Sequence, residues 1–315
     1  MTAYYFLREG SLLQRITLEG ELAGVAQVLE IGAIEPNCKI NVSFNLHGSN
    51  PLTPPSVFCH DQTNGNIFYY YPDGGRYKKS RILGAIGSEW ELQVFQIPLD
   101  PFKAVSTPQI FGHNRSTDPS HPAYQEIRVW NLPEVSTTAS LGRIGSEWDL
   151  MVGDFNGNGL LDILGRRKVT NADGKQGDLR VFFTDGSRVT GFRDSGNIGL
   201  EWKLQVADMD RDRHDDLFGY TANNDLWVWH NVKDDEGPGR FSSGTSYGKL
   251  GTEWRDLQVT YLRGLSKPID ILGISNTGEV HGWFTDGSAI VSGDRSVGSA
   301  PGWKPIAWYP QSRTT

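Results

Sequence analysis

One short phrase recurs along the chain and constrains its fold more than any other feature. It reads IGSEWELQV from Ile86, IGSEWDLMV from Ile144, IGLEWKLQV from Ile198 and LGTEWRDLQV from Leu250. A weaker copy, VGSAPGWKPIAW, starts at Val297. The copies lie roughly 50 to 60 residues apart, too far for a leucine-rich or ankyrin unit and matched to one blade of a β-propeller.

Within each repeat the order of segments is constant. An alternating run follows the Trp (strand A). An apolar patch ending in Gly comes next (strand B): IFG at Ile110, ILG at Ile163, LFG at Leu217 and ILG at Ile271. An aromatic-rich strand C follows, as NIFYYY, EIRVWN, DLRVFF, DLWVWH and EVHGWF. Several of these run into Asp-Gly, at Asp73-Gly74, Asp185-Gly186 and Asp286-Gly287. That dipeptide suits a tight hairpin because both residues tolerate positive φ. No segment carries a 3.6-residue apolar period with caps, so the expected class is all-β.

The two ends read as halves of one blade. AYYFLREGSLLQRI is expected to supply strands C and D, and WKPIAWYP a lone strand A. Pairing them closes the ring and removes an open seam. Strand C copies at Ala3, Ile67, Ile127, Leu179, Leu226 and Val280 give six blades. Seven is the alternative if the irregular stretch from Val25 to Pro55 hides another. The whole chain, 1–315, is then a single propeller domain.

Composition narrows the partners. With 37 glycines, 10 tryptophans and 3 methionines in 315 residues, the chain favours short strands and tight turns over a helical bundle. The net charge of −7 and the lack of any basic run argue against nucleic acid or an anionic membrane as partner. No stretch approaches the roughly 18 apolar residues of a membrane helix. The N-terminal segment has neither a basic n-region nor an apolar h-region, and the expected location is cytoplasmic. Cys38 and Cys59 fit no metal spacing; free buried thiols are expected, with a disulfide as the alternative.

Two A-to-B connections carry acidic loops. DFNGNGLLD places Asp154, Asn156, Asn158 and Asp162 at positions one, three, five and nine, and DMDRDRHDD places Asp208, Asp210, Asp212 and Asp216 at the same offsets. Alternating oxygen side chains around a turn converge on a hard cation. Two structural Ca2+ ions are expected, and no organic cofactor. Arg213 stands where the first loop has Gly159. Elsewhere LRGLSKPID retains only Asp270, and Gln109 replaces the final Asp of the second blade, so those blades are expected to be metal-free.

The run GDFNGNGLLDILG, followed by an aromatic strand and a glycine turn, resembles the FG-GAP repeat of integrin α-subunit propellers and related fungal lectins. The resemblance implies calcium in the Asp154 and Asp208 loops, on the face opposite the main ligand face. It also implies glycan or protein partners. Fungal N-acetylglucosamine-binding propellers are similar in repeat design, but this chain lacks a uniform set of side chains at equivalent blade positions.

For a ligand, one mouth of the ring is expected to hold Trp90, Trp148, Trp202, Trp254 and Trp303, as substrate-binding walls or as packing between blades. Glu89, Glu147, Glu201 and Glu253 recur beside them and are expected to pair with backbone amides or neighbouring loops. The residue closing strand B varies: His60, His113, Arg166, Tyr220 and Ile274. Such diversity suits an asymmetric pocket for one small molecule, or simply loop starts free to vary. No hydrolase elbow, phosphate loop, zinc helix or dinucleotide fingerprint is present. The leading expectation is therefore a cofactor-independent cycloaddition enzyme, with His60, His113, Arg166 and Tyr220 polarising a bound carbonyl. In fold this reading is similar to the fungal hetero-Diels-Alderases of tropolone sesquiterpene biosynthesis. A carbohydrate-binding lectin is the alternative.

Overall fold

The computed structural model describes residues 2–9, 12–19, 24–43, 56–73, 76–95, 109–132, 135, 138–169, 176–234, 237–260, 269–299 and 304–310. Among them the regular structure is all strand, in a β-propeller arrangement with five four-stranded blades.

Strands β1 (Thr2–Glu9), β2 (Leu12–Glu19) and β3 (Gly24–Ala33) form one blade with the last strand, β27 (Lys304–Pro310), in the order β27-β1-β2-β3. Tyr5 lies opposite Trp308 in this pairing, so the two ends of the chain share a sheet. The expected composite blade is therefore present, but its strands are shifted. The N-terminal segment supplies the second and third strands, not the third and fourth, and β3, drawn from the irregular stretch after Val25, supplies the fourth.

Strands β4 (Cys38–Ser43), β5 (Ser56–Asp61), β6 (Asn66–Asp73), β7 (Arg76–Lys79) and β8 (Gly84–Ala85) make a five-stranded sheet, with β7 and β8 both paired to β6. Four further blades follow the same meander. One holds β9 (Trp90–Phe95), β10 (Gln109–Asn114), β11 (Glu126–Asn131) and β12 (Thr138–Arg143). The next holds β13 (Trp148–Gly153), β14 (Asp162–Arg167), β15 (Asp178–Thr184) and β16 (Val189–Asn197). Then come β17 (Lys203–Ala207), β18 (Asp216–Tyr220), β19 (Asp225–Trp229) and β22 (Thr245–Lys249), interrupted by the hairpin β20 (Asn231–Asp234) and β21 (Gly237–Phe241). The last blade is β23 (Trp254–Thr260), β24 (Asp270–Ser275), β25 (Glu279–Thr285) and β26 (Ile290–Ser299).

The chain divides into two compact units: residues 1–86, 223–225 and 247–315, and residues 87–222 and 226–246. In the second unit, Phe111, Ile127, Leu150 and Ile163 anchor one apolar cluster, while Phe155, Leu164, Val181 and Leu217 anchor another. In the first unit the described cluster gathers Ile34, Val57, Phe68 and Tyr70 around Cys38 and Cys59. Those two cysteines form a disulfide between β4 and β5, with Cα atoms 5.5 Å apart, which corrects the expectation of free thiols. Their chain separation carries no bridging geometry; the antiparallel register of β4 with β5 supplies it.

Strand B is buried from end to end in two blades, at Asp216–Tyr220 and Asp270–Ser275. Its central Gly has a steric reason. A Cβ on Gly112 would lie 2.6 Å from the Trp130 ring, one on Gly219 2.7 Å from Trp229, and one on Gly273 2.9 Å from Trp283. The bare backbone leaves room for an indole from strand C, which meets the repeat Trp edge to face.

Candidate functional site

The repeat tryptophans take up that packing. Trp90 meets Trp130 at 5.0 Å between ring centroids, Trp202 meets Trp229 at 5.1 Å, and Trp254 meets Trp283 at 4.7 Å, all near perpendicular. Trp148 meets Phe182 in the same way at 6.1 Å. Trp90, Trp148 and Trp254 are buried and Trp202 is partly exposed. Trp303 lies outside the described residues. These ring contacts join strands A and C of one blade, whereas the packing expected was between blades.

The glutamate of the repeat explains the glycine two residues before it. Its carboxylate folds back over that glycine, so a Cβ would lie 2.1 Å from Glu89 at Gly87, 2.0 Å from Glu147 at Gly145 and 1.9 Å from Glu253 at Gly251. The Trp N–H then closes the turn onto the same glycine's carbonyl, as in Trp90 to Gly87 at 3.1 Å.

Three of the five variable residues at the end of strand B reach the turn of the next repeat. His60 Nε2 donates to the Ile86 carbonyl at 2.8 Å, and His113 Nε2 to the Ile144 carbonyl at 2.9 Å. Arg166 donates from Nη1 to the Trp202 carbonyl at 2.7 Å. Asn224 does the same work one connection later, donating to the carbonyls of Gly251 and Trp254, each at 2.7 Å. Both histidines are buried; Tyr220 is buried as well, and Ile274 completely so. Different side chains thus solve one problem, capping a turn's carbonyl. Burial holds the His113 imidazole neutral, with its pKa pushed down to about 4. Burial also lowers the Arg166 pKa, opposed by Asp149 and Glu201 nearby.

The two acidic loops share one backbone. Asp154 Oδ2 accepts the Gly159 N–H at 2.8 Å, as Asp208 Oδ2 accepts that of Arg213 at 3.2 Å. Asn156 and Asp210 accept from the residue two further on, at 3.0 and 3.1 Å; Asn158 and Asp212 do likewise, at 2.7 and 2.8 Å. Gly157 and Gly159 have φ of 71° and 78°, and Arg211 and Arg213 copy them at 70° and 76°. A left-handed arginine costs about 1–2 kcal/mol, so the second loop holds its shape against local preference.

The last aspartate of each loop holds a backbone N–H at the end of strand C or just beyond it. Asp162 Oδ1 accepts the Thr184 N–H at 2.9 Å, and Asp216 Oδ1 the Asn231 N–H at 2.7 Å. Asp162 Oδ2 and Asp208 Oδ1 are buried with no hydrogen-bond partner. Burial raises the Asp154 pKa and pushes Asp162 up to about 7 and Asp208 to about 6. The ligand atoms of Asp208, Asp210 and Asp212 lie within 4.8 Å of one another. Orphaned buried oxygens beside converging carboxylates fit a hard divalent cation, which would supply the missing partner and offset the crowded charge.

One contributor escaped the sequence pattern. His230 places Nδ1 3.3 Å from Asp216 Oδ2 and 3.5 Å from Asp210 Oδ2, and Asp216 raises its pKa. It follows Trp229 as Phe183 follows Phe182 and Phe284 follows Trp283, so the odd residue in strand C was its only signal. A separate shallow, open depression is lined by Pro36, Asn37, Cys38, Lys39, Gln62 and Thr63.

No family model matches the chain, and a search of curated proteins finds no match. Solved structures do resemble it. An Aleuria aurantia lectin mutant in complex with α-methyl-L-fucoside aligns with a TM-score of 0.51 at 10% identity, over 96% of this chain and 89% of that one. A chain of a nidogen/laminin complex aligns with a TM-score of 0.50 at 13% identity, over 92% of each. A Lactobacillus plantarum protein aligns with a TM-score of 0.50 at 10% identity, over 96% of this chain and 98% of that one. At these identities the likeness concerns the fold.

Proposed function

We propose that this chain is a carbohydrate-binding propeller of the lectin type, with two structural calcium ions. The observation that carries the reading is its likeness to the Aleuria lectin, which aligns along nearly the whole chain. The side chains expected to serve a cycloaddition add nothing to the enzyme reading. His60, His113 and Arg166 already donate to turn carbonyls. In the same reading the five-stranded sheet β4–β8 is a sixth blade, and the sheet shared by the two ends closes the ring.

Calcium would be held by Asp154, Asn156, Asn158 and Asp162 in one loop and by Asp208, Asp210, Asp212 and Asp216 in the other. The ion supplies positive charge that the buried carboxylates lack; the residues themselves hold the hairpin by the bonds described above. The Cys38–Cys59 bridge favours an oxidising compartment over the cytoplasm.

A glycan array probed with the full chain, followed by calorimetry with α-methyl-L-fucoside as the first probe, tests the ligand. Saturable binding to a defined sugar class supports the reading. Absence of binding across the array, at protein concentrations in the high micromolar range, overturns it.

A further inference from the structure

The two acidic loops are joined to each other, not merely alike. Asp154 and Asp215 form a reciprocal pair: the Asp154 N–H donates to Asp215 Oδ2 at 2.7 Å, and the Asp215 N–H to the Asp154 carbonyl at 2.9 Å. Asn231, whose own N–H is held by Asp216, donates its amide to the carbonyls of Phe155 at 2.7 Å and Asp215 at 3.2 Å. The His214 ring stands against the turn of the first loop, where a Cβ on Gly157 would lie 3.0 Å from Nε2. Three residues from the blade that carries the second loop thus grip the first cation loop at its opening residues.

This grip belongs to one loop only. Asp215 occupies the eighth position of its motif, where the first loop has the buried Leu161. A carboxylate there is not required by the loop's own hydrogen bonds, which the first loop makes without one. Asp215 serves its neighbour: it fixes the backbone of Asp154, the residue that begins the other site. The oxygens that await a partner, Asp162 Oδ2 and Asp208 Oδ1, lie one in each loop, and Asp162 is fully buried.

We propose that the two loops are one coupled cation-binding unit, with Asp215 the positioning residue through which filling either site strengthens the other. The proposal rests on the calcium reading above. The physical reason is shared ordering: a cation in the second loop fixes the segment Asp208–Asp216, and with it the acceptor that holds Asp154 in place. The cation entering the first loop then has less chain left to order. By reciprocity the first cation must favour the second by the same factor.

Calcium titration of the full chain by isothermal calorimetry tests this, using the wild type, Asp162→Asn to disable the first loop and Asp208→Asn to disable the second. The wild type is expected to bind two ions with positive cooperativity. Each single-loop variant is expected to bind one ion at least about 5-fold more weakly than the coupled site does, by equal factors for the two variants. Asp215→Ala is expected to retain two ions and lose the coupling, and Asp215→Asn, which keeps an acceptor for the Asp154 N–H, to restore it. If Asp215→Ala fails to fold, the equality between the two single-loop variants still decides the matter. Two sites whose affinities ignore each other's loss overturn the coupling and leave calcium binding intact. A wild type that binds no calcium overturns both.

Discussion

The β13–β14 hairpin and the β23–β24 hairpin begin from the same aspartate and diverge around it. In the first, Asp162 Oδ1 accepts the Thr184 N–H at 2.9 Å; in the second, Asp270 Oδ1 accepts the Thr285 N–H at 3.1 Å. Both threonine hydroxyls donate to the carbonyl before the aspartate, that of Leu161 or Ile269. Both aspartates are fully buried. Only Asp162 keeps a buried oxygen with no partner, and only it follows a loop of alternating oxygen side chains. The difference separates two roles that one residue type combines. The final aspartate ties strand B to strand C in either blade, and under the calcium reading proposed above a ligand role would be added only where the loop before it supplies further oxygens.

Removing the clasp gives the largest effect. Asp270→Ala and Asp162→Ala should each cost about 3 kcal/mol in urea unfolding, because a buried N–H loses a charged acceptor. For Asp270→Ala the cost should be the same with calcium or with chelator. A loss under about 1 kcal/mol at Asp270 would break the comparison at its root.

Chelation sharpens it from the other side. At calcium tenfold above the dissociation constant, each filled site adds about 1.4 kcal/mol, which chelator should withdraw from the wild type. Asp162→Asn keeps the clasp and should withdraw less, while Asp270→Asn should respond as the wild type does. An unfolding midpoint indifferent to chelator in the wild type would remove the ligand role from both loops.

Acid titration in saturating calcium isolates the opposite end of the strands. The folded His113 has its pKa pushed down to about 4, against 6.5 for the free residue, so the unfolded chain binds the extra proton between those values. Stability contributed by the neutral imidazole is therefore complete above about pH 6.5 and lost as the pH falls toward 4, by on the order of 3 kcal/mol. His113→Gln should flatten that slope; an unchanged slope would place the titrating group elsewhere. The smallest effect belongs to the half-exposed pair of Arg180 with Asp194, 2.7 Å apart on the strands beside the first hairpin. Asp194→Asn should change stability by less than about 0.5 kcal/mol, and a larger loss would mean that the β15–β16 edge contributes more than its contacts suggest.

Much of this fold was legible in advance, because strand periodicity and turn chemistry are local. The Trp that opens strand A, the Gly in strand B and the aspartate offsets of the two loops each mark an element correctly. The candidate site was less legible. His60, His113 and Arg166 looked diverse enough to shape a pocket, yet each bonds a turn carbonyl of the following repeat. Nothing in a single repeat announces a partner some 26 to 36 residues onward, and those separations emerge only from packing. His230 was missed for the same reason: it belongs to the loop in space and to strand C in sequence.

By itself, then, the sequence determined the repeat, the class of its strands and the two sets of oxygen donors, since these depend on neighbours within a few residues. Tertiary structure alone decided the rest. It set the strand positions taken by the two ends, the bridge between Cys38 and Cys59, the burial of Trp90, Trp148 and Trp254 and the grip of Asp215 on Asp154. Each of those depends on the register and approach of segments distant in the chain, where side-chain volume and unmet hydrogen bonds choose among partners that local propensity cannot rank.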